Sequence, residues 1–254
     1  MEERVSFVSG GLKLAGVLHI PERRDPRERR PALLVLHGFG SNKDSGGSVA
    51  TAKMFTDLGY AALRFDMPGC GESDGTRGRV ICLEQVEDTK HALTFLAARP
   101  EVDPDRIGVI GQSFGAAVAV YTAGVDTRVA ACISSGGWGD GVKKFKKQHE
   151  SPEAWARFTA MMEDGRRKRD RGETLMVPRY DIVPIPAHLR NNLSTGSIME
   201  FPFGGAGRGS RSRARHSTSS PTWPPASGWP CPRLNRADNR ENPRLSAHVE
   251  PYQM

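Results

Sequence analysis

At 254 residues the chain is long enough for one large domain with a sizeable core. It carries no apolar run near the length of a membrane span, and Met1-Glu2-Glu3-Arg4 lacks the basic start and apolar stretch of a secretory leader, so the expected location is the cytoplasm. Most of the net charge of +7 sits in the last 51 residues, where eight arginines face three acids. The other 203 residues hold 28 basic and 26 acidic side chains, a balance that speaks against a nucleic-acid-binding body.

In chain order, Arg4–Val8 and Leu12–Ile20 alternate around Ser9-Gly10-Gly11 and read as a β-hairpin. Pro31–Leu36 is a continuous apolar run, the pattern of a strand covered on both faces. A helix over Ser48–Leu58 ends before Gly59, and Tyr60–Phe65 is a second buried strand. Leu83–Ala97 keeps its apolar residues near one helical face, and Asp103-Pro104-Asp105 forms a turn. Arg106–Ile110 is a third buried strand, Phe114–Ala123 a helix of small residues, and Val129–Ile133 a fourth buried strand. The alternation predicts an α/β fold: a mostly parallel, doubly wound sheet preceded by an antiparallel hairpin. Beyond Gly139 the rhythm stops. Glu153–Asp164 looks helical, and Tyr180–Leu193 is interrupted by prolines.

Three loops fall at the carboxyl ends of the predicted strands, where such sheets bind ligands. Gly111-Gln112-Ser113-Phe114-Gly115 follows a strand and opens a helix, the context of a nucleophile elbow with Ser113 as nucleophile. His37-Gly38-Phe39-Gly40 follows Pro31–Leu36; backbone N–H groups of Phe39 and of Phe114 are the candidate oxyanion donors, with His37 holding the loop. Asp66, opening Asp66-Met67-Pro68-Gly69-Cys70-Gly71-Glu72-Ser73, reads either as a catalytic acid or as a carboxylate that organises the glycine loop, and the loop role is favoured. Cys70 has no base in view and is not expected to act as a nucleophile. Cys70, Cys82, Cys132 and Cys231 show no metal or redox spacing and read as free thiols. The basic run Arg166–Arg171 reads as a solvated helix end.

The order HGFG, DMPGCGESDG, DPDRIGVIGQSFGA over roughly residues 4–203 resembles the α/β-hydrolase superfamily, most closely its bacterial esterases and serine-aminopeptidase-like hydrolases. The resemblance implies a core over 1–138, a helical lid over 139–195 and the start of a return helix at 196–203. It also implies a Ser–His–Asp triad, neither cofactor nor metal, and hydrolysis of a small-molecule acyl substrate, an ester, thioester or amide, through an acyl-enzyme. In that family the acid and the histidine follow two strands after the lid, and no such strands are legible here. His216, His248 and Asp238 follow no apolar strand and receive no role. Asp140 is the weak candidate for the acid, against a plain turn in Trp138-Gly139-Asp140-Gly141, and the base is unknown. The expected function is a serine hydrolase impaired for want of base and acid; the alternative is a non-catalytic binding protein of the same fold.

Residues 204–254 contain no Ile, Phe or Lys and a single Val, and are crowded with Gly, Pro, Ser and Arg. Such a segment buries too little apolar surface to offset its ordering entropy. It reads as disordered, or as GC-rich DNA translated out of frame. Translating the coding DNA past codon 203 in the other two forward frames tests the second reading. One frame is expected to continue with a helix, an apolar strand ending near an Asp, and a further strand followed by a His; neither frame doing so overturns it.

Overall fold

The chain reverses at Gly10-Gly11, and the sheet grows from the ribbon this makes. Both glycines take positive φ, 54° and 81°, as a two-residue type I′ turn requires. Strands β1 (Glu2–Ser9) and β2 (Leu12–His19) pair antiparallel across it, with Ser9 opposite Leu12. The computed structural model describes residues 1–22, 27–186 and, as backbone, 198–200. The expectations placed on 201–254, including His216, Asp238 and His248, lie outside the described residues.

Strands β3 (Arg30–Leu36), β4 (Ala61–Phe65), β5 (Val102–Gln112) and β6 (Val129–Ser135) alternate with helices α1 (Gly46–Asp57), α2 (Cys82–Ala97) and α3 (Phe114–Val125). The sheet order is β1-β2-β4-β3-β5-β6. β2 meets β4 antiparallel, whereas β3–β4, β3–β5 and β5–β6 are parallel. This is the predicted mixed α/β sheet. Successive residues of a strand face opposite sides, and the core divides accordingly. Leu34, Leu36, Leu63, Phe65 and Val109 pack with Val86, Leu93 and Val118 of α2 and α3, while Val35, Ala62 and Ile110 pack with Ala52 of α1. Covering on both faces is why β3 and β4 read as continuous apolar runs.

Two expectations about strands change. Asp103-Pro104-Asp105 lies within β5 and not before it: Arg30 is opposite Val102 but Ala32 is opposite Ile107, so the extra residues bulge out. Asp103 Oδ1 accepts from the Asp105 N–H at 3.1 Å, so the expected turn survives as the bulge. Val129–Ile133, read as a fourth buried strand, is exposed along nearly all of β6. Among the described residues β6 pairs only with β5, so its apolar residues line an edge where an interior strand would have a second neighbour.

After β6 come α4 (Gly141–Gln148), α5 (Pro152–Asp170), β7 (Met176–Pro178) and α6 (Arg179–Ile182). Helix α5 starts on a Ser151 cap, with Pro152 in its first turn, and runs past the expected end at Asp164. Arg166 and Arg167 pair one turn back with Glu163 and Asp164, and basic residues suit a helix C-terminus. The run Arg166–Arg171 is thus a solvated helix end. Residues 198–200, expected to open a return helix, form instead strand β8 (Ile198–Glu200), antiparallel to β7. Pairing with β7 satisfies their backbone between strands and not within a helix. No helix among the described residues is long and apolar enough to cross a membrane.

Ile133 on β6 is 42% exposed, part of an apolar edge strand of the kind that promotes self-association. The chain is expected to bind a hydrophobic dye strongly and to associate as its concentration rises, and Ile133→Lys should reduce both. Weak dye binding with one sharp, concentration-independent melting transition would contradict this.

Candidate active site

The link between β5 and α3 is the one place where a side-chain-bearing residue takes positive φ among the described residues: Ser113, at φ 54° and ψ −116°. Such a conformation costs on the order of 1–3 kcal/mol and persists only where neighbours over-determine it. Here they do. The Ser113 N–H donates to the Ser135 carbonyl at 2.8 Å. A Cβ on Gly111 would overlap the Gly115 carbonyl, and one on Gly115 would collide with the carbonyls of Leu36 and His37. Only glycine lets the backbone of β3, β5 and α3 come this close. Ser113 is exposed, and among the described residues its Oγ makes no hydrogen bond.

The loop after β3 comes up against this turn. A Cβ built on Gly38 would stand 3.5 Å from Ser113 Cβ. The Gly38 carbonyl is held twice, by Ser41 N–H at 3.1 Å and by His37 Nδ1 at 2.9 Å. In a trans peptide the C=O and N–H point in opposite directions, so those bonds also fix the direction of the Phe39 N–H. No described backbone group accepts from it. Phe114 is the first residue of α3, and a first-turn amide has no partner within its helix. The Phe39 and Phe114 rings meet edge to face at 5.5 Å, and Trp138 lies 5.8 Å from Phe114. The structure therefore brings Ser113, Phe39 and Phe114 together.

His37 is buried, with both ring nitrogens engaged. Its Nε2 accepts from Met67 N–H at 3.1 Å, which leaves the proton on Nδ1, facing the Gly38 carbonyl. Burial pushes the ring below the ordinary histidine value. His37 is thus a loop brace between the segments after β3 and β4, with no lone pair left to act as a base.

Asp66 is fully buried and has the role of loop organiser. Its carboxylate accepts from Lys43 N–H at 2.7 Å, Lys43 Nζ at 2.8 Å and Glu72 N–H at 2.9 Å, and its carbonyl accepts from Ser73 Oγ at 2.6 Å. Lys43 Nζ also reaches Glu72 at 2.6 Å and Asp44 at 3.1 Å. Burial works against the ammonium, but the hydrogen bonds it donates to Asp66 and Glu72 outweigh that and raise its pKa above the ordinary lysine value. Arg64, buried in β4, donates to the Lys43 carbonyl at 2.9 Å and to Asp44 at 2.6 Å. Burial pushes the Cys70 thiol up to about 12, which rules out a thiolate nucleophile at neutral pH. Asp140 is exposed and caps α4, accepting from Lys143 N–H at 3.0 Å; no histidine is among its described hydrogen-bond partners. None of the other described histidines bonds to Ser113. His19 accepts from Arg64, His91 meets Ser9, and His149 packs edge-on to Phe158.

The elements after β6 pack against the loop. Phe39 shares an apolar cluster with Phe158, Val177 and Ile182, against which Phe114, Phe145 and Trp155 pack. Arg179, buried at the start of α6, donates to the Phe39 carbonyl at 2.6 Å. Sequence reasoning missed Lys43, Arg64 and Arg179. Arg64 carried a signal, since a charge in the apolar run Ala61-Ala62-Leu63-Arg64-Phe65 needs a buried partner. Lys43 and Arg179 sit in polar or proline-broken segments where a charge is unremarked.

Residues 31–169 match the family described as alpha/beta hydrolase fold. The chain belongs to that family. Over 125 residues it is 39% identical to a thiohydrolase, aneE, of Aspergillus aculeatus, covering 49% of this chain and 37% of that protein. Over 112 residues it is 37% identical to an acyltransferase, drtE, of Aspergillus calidoustus, covering 44% and 36%. The matches thus span well under half the length of these relatives. The solved α/β hydrolase GrgF of Penicillium sp. sh18 superposes with a TM-score of 0.58 at 28% identity, over 77% of this chain and 62% of that one.

A buried histidine whose folded pKa lies below its unfolded value, about 6.5, stays neutral while the unfolded chain takes up a proton. Its stabilisation is complete above that pH and is lost as the pH falls below it. Melting temperature should therefore decline from about pH 6.5 downward. His37→Gln, whose amide can accept from Met67 and donate to Gly38, should flatten the decline by up to one proton. An unchanged pH profile in the variant would show that His37 titrates normally.

Proposed function

We propose that this chain carries the nucleophile half of a serine acyl hydrolase, acting on carboxylic esters or thioesters of small apolar acids. The observation that carries the reading is the strained, exposed Ser113 beside a Phe39 N–H that has no acceptor among the described residues. In this reading Ser113 Oγ attacks the acyl carbonyl carbon. The oxygen that becomes negative is met by the N–H groups of Phe39 and Phe114, donors already oriented before reaction. The N-terminus of α3 adds favourable potential. Collapse expels the alcohol or thiol and leaves an acyl-enzyme, which water cleaves. Phe114 and Trp138 supply apolar and aromatic surface for the acyl chain. The names thiohydrolase and acyltransferase on two relatives support acyl chemistry, differing in whether water or another nucleophile takes the acyl group.

Attack requires a base for the Ser113 proton, and none of the described histidines touches it. The half-site alone sustains the residual acceleration of oxyanion stabilisation, roughly 10³–10⁴-fold over water where it has been isolated in other hydrolases. The test is covalent labelling by a fluorophosphonate, read by mass spectrometry. Slow labelling of the wild-type chain at Ser113 and none of Ser113→Ala is the expected result. Labelling that persists in the alanine variant sinks the assignment. A wild-type chain that binds acyl ligands but is never labelled would instead be a non-catalytic binding protein.

A further inference from the structure

Arg179 is the most unusual charge in the molecule. It is 7% exposed, and among the described residues no carboxylate forms an ion pair with it. Its Nε is buried without an acceptor. Burial without a counter-charge lowers the pKa of the guanidinium, though an arginine stays charged at neutral pH. Desolvating a cation in this way is costly, and a carboxylate on any neighbouring turn would relieve the cost. The guanidinium instead addresses two residues. Its Nη2 donates to the Phe39 carbonyl at 2.6 Å. Its central carbon stands 5.6 Å from the centre of the Phe39 ring and 5.7 Å from that of Tyr180. Lid and loop are thus joined across 140 positions of sequence.

Phe39 lies between two peptide planes. The Gly38–Phe39 plane is fixed by His37 and Ser41 through the Gly38 carbonyl. The Phe39–Gly40 plane is held through its carbonyl by Arg179. Restraining both planes restrains φ and ψ of Phe39, so the plane that carries its N–H cannot swing relative to the one that Arg179 holds. Gly40 follows at φ 61° and adds no Cβ to resist rotation of the second plane. We propose that Arg179 is a positioning residue: by holding the Phe39 carbonyl from the lid, it makes the aim of the Phe39 N–H conditional on the lid being seated. This rests on the serine-hydrolase reading for its catalytic consequence, but not for the structural coupling itself. Because the contact is to a carbonyl and to aromatic faces, a neutral isostere cannot replace it. Lysine, with a donor but no plane to stack, replaces it in part.

The experiment uses the full chain as wild type, Arg179→Met, Arg179→Gln and Arg179→Lys, each checked for folding by circular dichroism. Amide hydrogen exchange is followed by mass spectrometry in peptides covering residues 36–42, and Ser113 labelling by a fluorophosphonate is resolved into its binding and bond-forming constants. In Arg179→Met exchange should rise about tenfold, the order of one hydrogen bond to a charged group. The bond-forming constant should fall about 10- to 100-fold, as expected for a misaligned site, with the binding constant within about twofold. Arg179→Lys should recover part of both. Wild-type exchange and wild-type bond formation in Arg179→Met overturn the proposal. If Arg179→Met does not fold, Arg179→Gln, too short to reach the carbonyl, decides in the same way. If the wild-type chain shows no Ser113-dependent labelling, the hydrolase reading fails and exchange alone decides: a rise in 36–42 upholds the coupling, and no change overturns it.

Discussion

The site depends on an ion pair buried out of reach of water. Lys43, in the loop after β3, and Asp66, directly after β4, are both essentially inaccessible and meet at 2.8 Å. Removing Lys43 would leave the Asp66 carboxylate buried without its counter-charge, a loss on the order of 3–5 kcal/mol. The pair joins two loops that the sheet alone would leave independent. Once they are joined, Met67 can donate to His37, His37 can hold Gly38, and the peptide plane that aims the Phe39 N–H acquires its direction. Arg64 extends the arrangement into the sheet, holding the Lys43 carbonyl from within β4.

The Ser113 side is fixed by a different force. Around Ser113 the constraint is excluded volume: Gly111 and Gly115 allow β3, β5 and α3 to approach more closely than any side chain permits. Electrostatics therefore sets the loop at Phe39 and sterics the serine. The two meet where Gly38 faces Ser113. The roles are not interchangeable. A charge can be rebuilt by a conservative substitution that keeps its partner, whereas nothing larger than hydrogen fits at the two glycines of the elbow.

What was legible in the sequence follows this division. The hairpin, the buried strands and the elbow rest on local pattern: period-two alternation, continuous apolar runs, and glycines at fixed offsets from a serine. Asp66 as organiser of its loop was legible too, because an aspartate heading a glycine-rich turn has few other uses. The partners of these groups were not. Lys43 finds Asp66 across 23 positions and Arg179 finds Phe39 across 140, and neither carries a mark that separates it from a solvated surface charge. β6 was misread for a related reason. Val129-Ala130-Ala131-Cys132-Ile133 has the composition of a covered strand, but whether a strand is covered depends on its neighbours and not on its own residues. The bulge at Asp103-Pro104-Asp105 shows that a turn signal and a strand assignment are compatible when the ladder can shift register.

The bond from Ser113 N–H to the Ser135 carbonyl has a consequence for how the site is made. Chains are synthesised in one direction and their segments fold largely in that order. Every contact that sets the backbone of Ser113, the brace at His37 and the Lys43–Asp66 pair lies within residues 30–135. The hold on the Phe39 carbonyl comes from residue 179, further along the chain. The half-site is therefore shaped first and fastened second. During synthesis there is an interval in which a nascent chain already displays its serine but has not yet tightened the loop beside it, an ordering in time that leaves the Phe39 loop slack until α6 has been made.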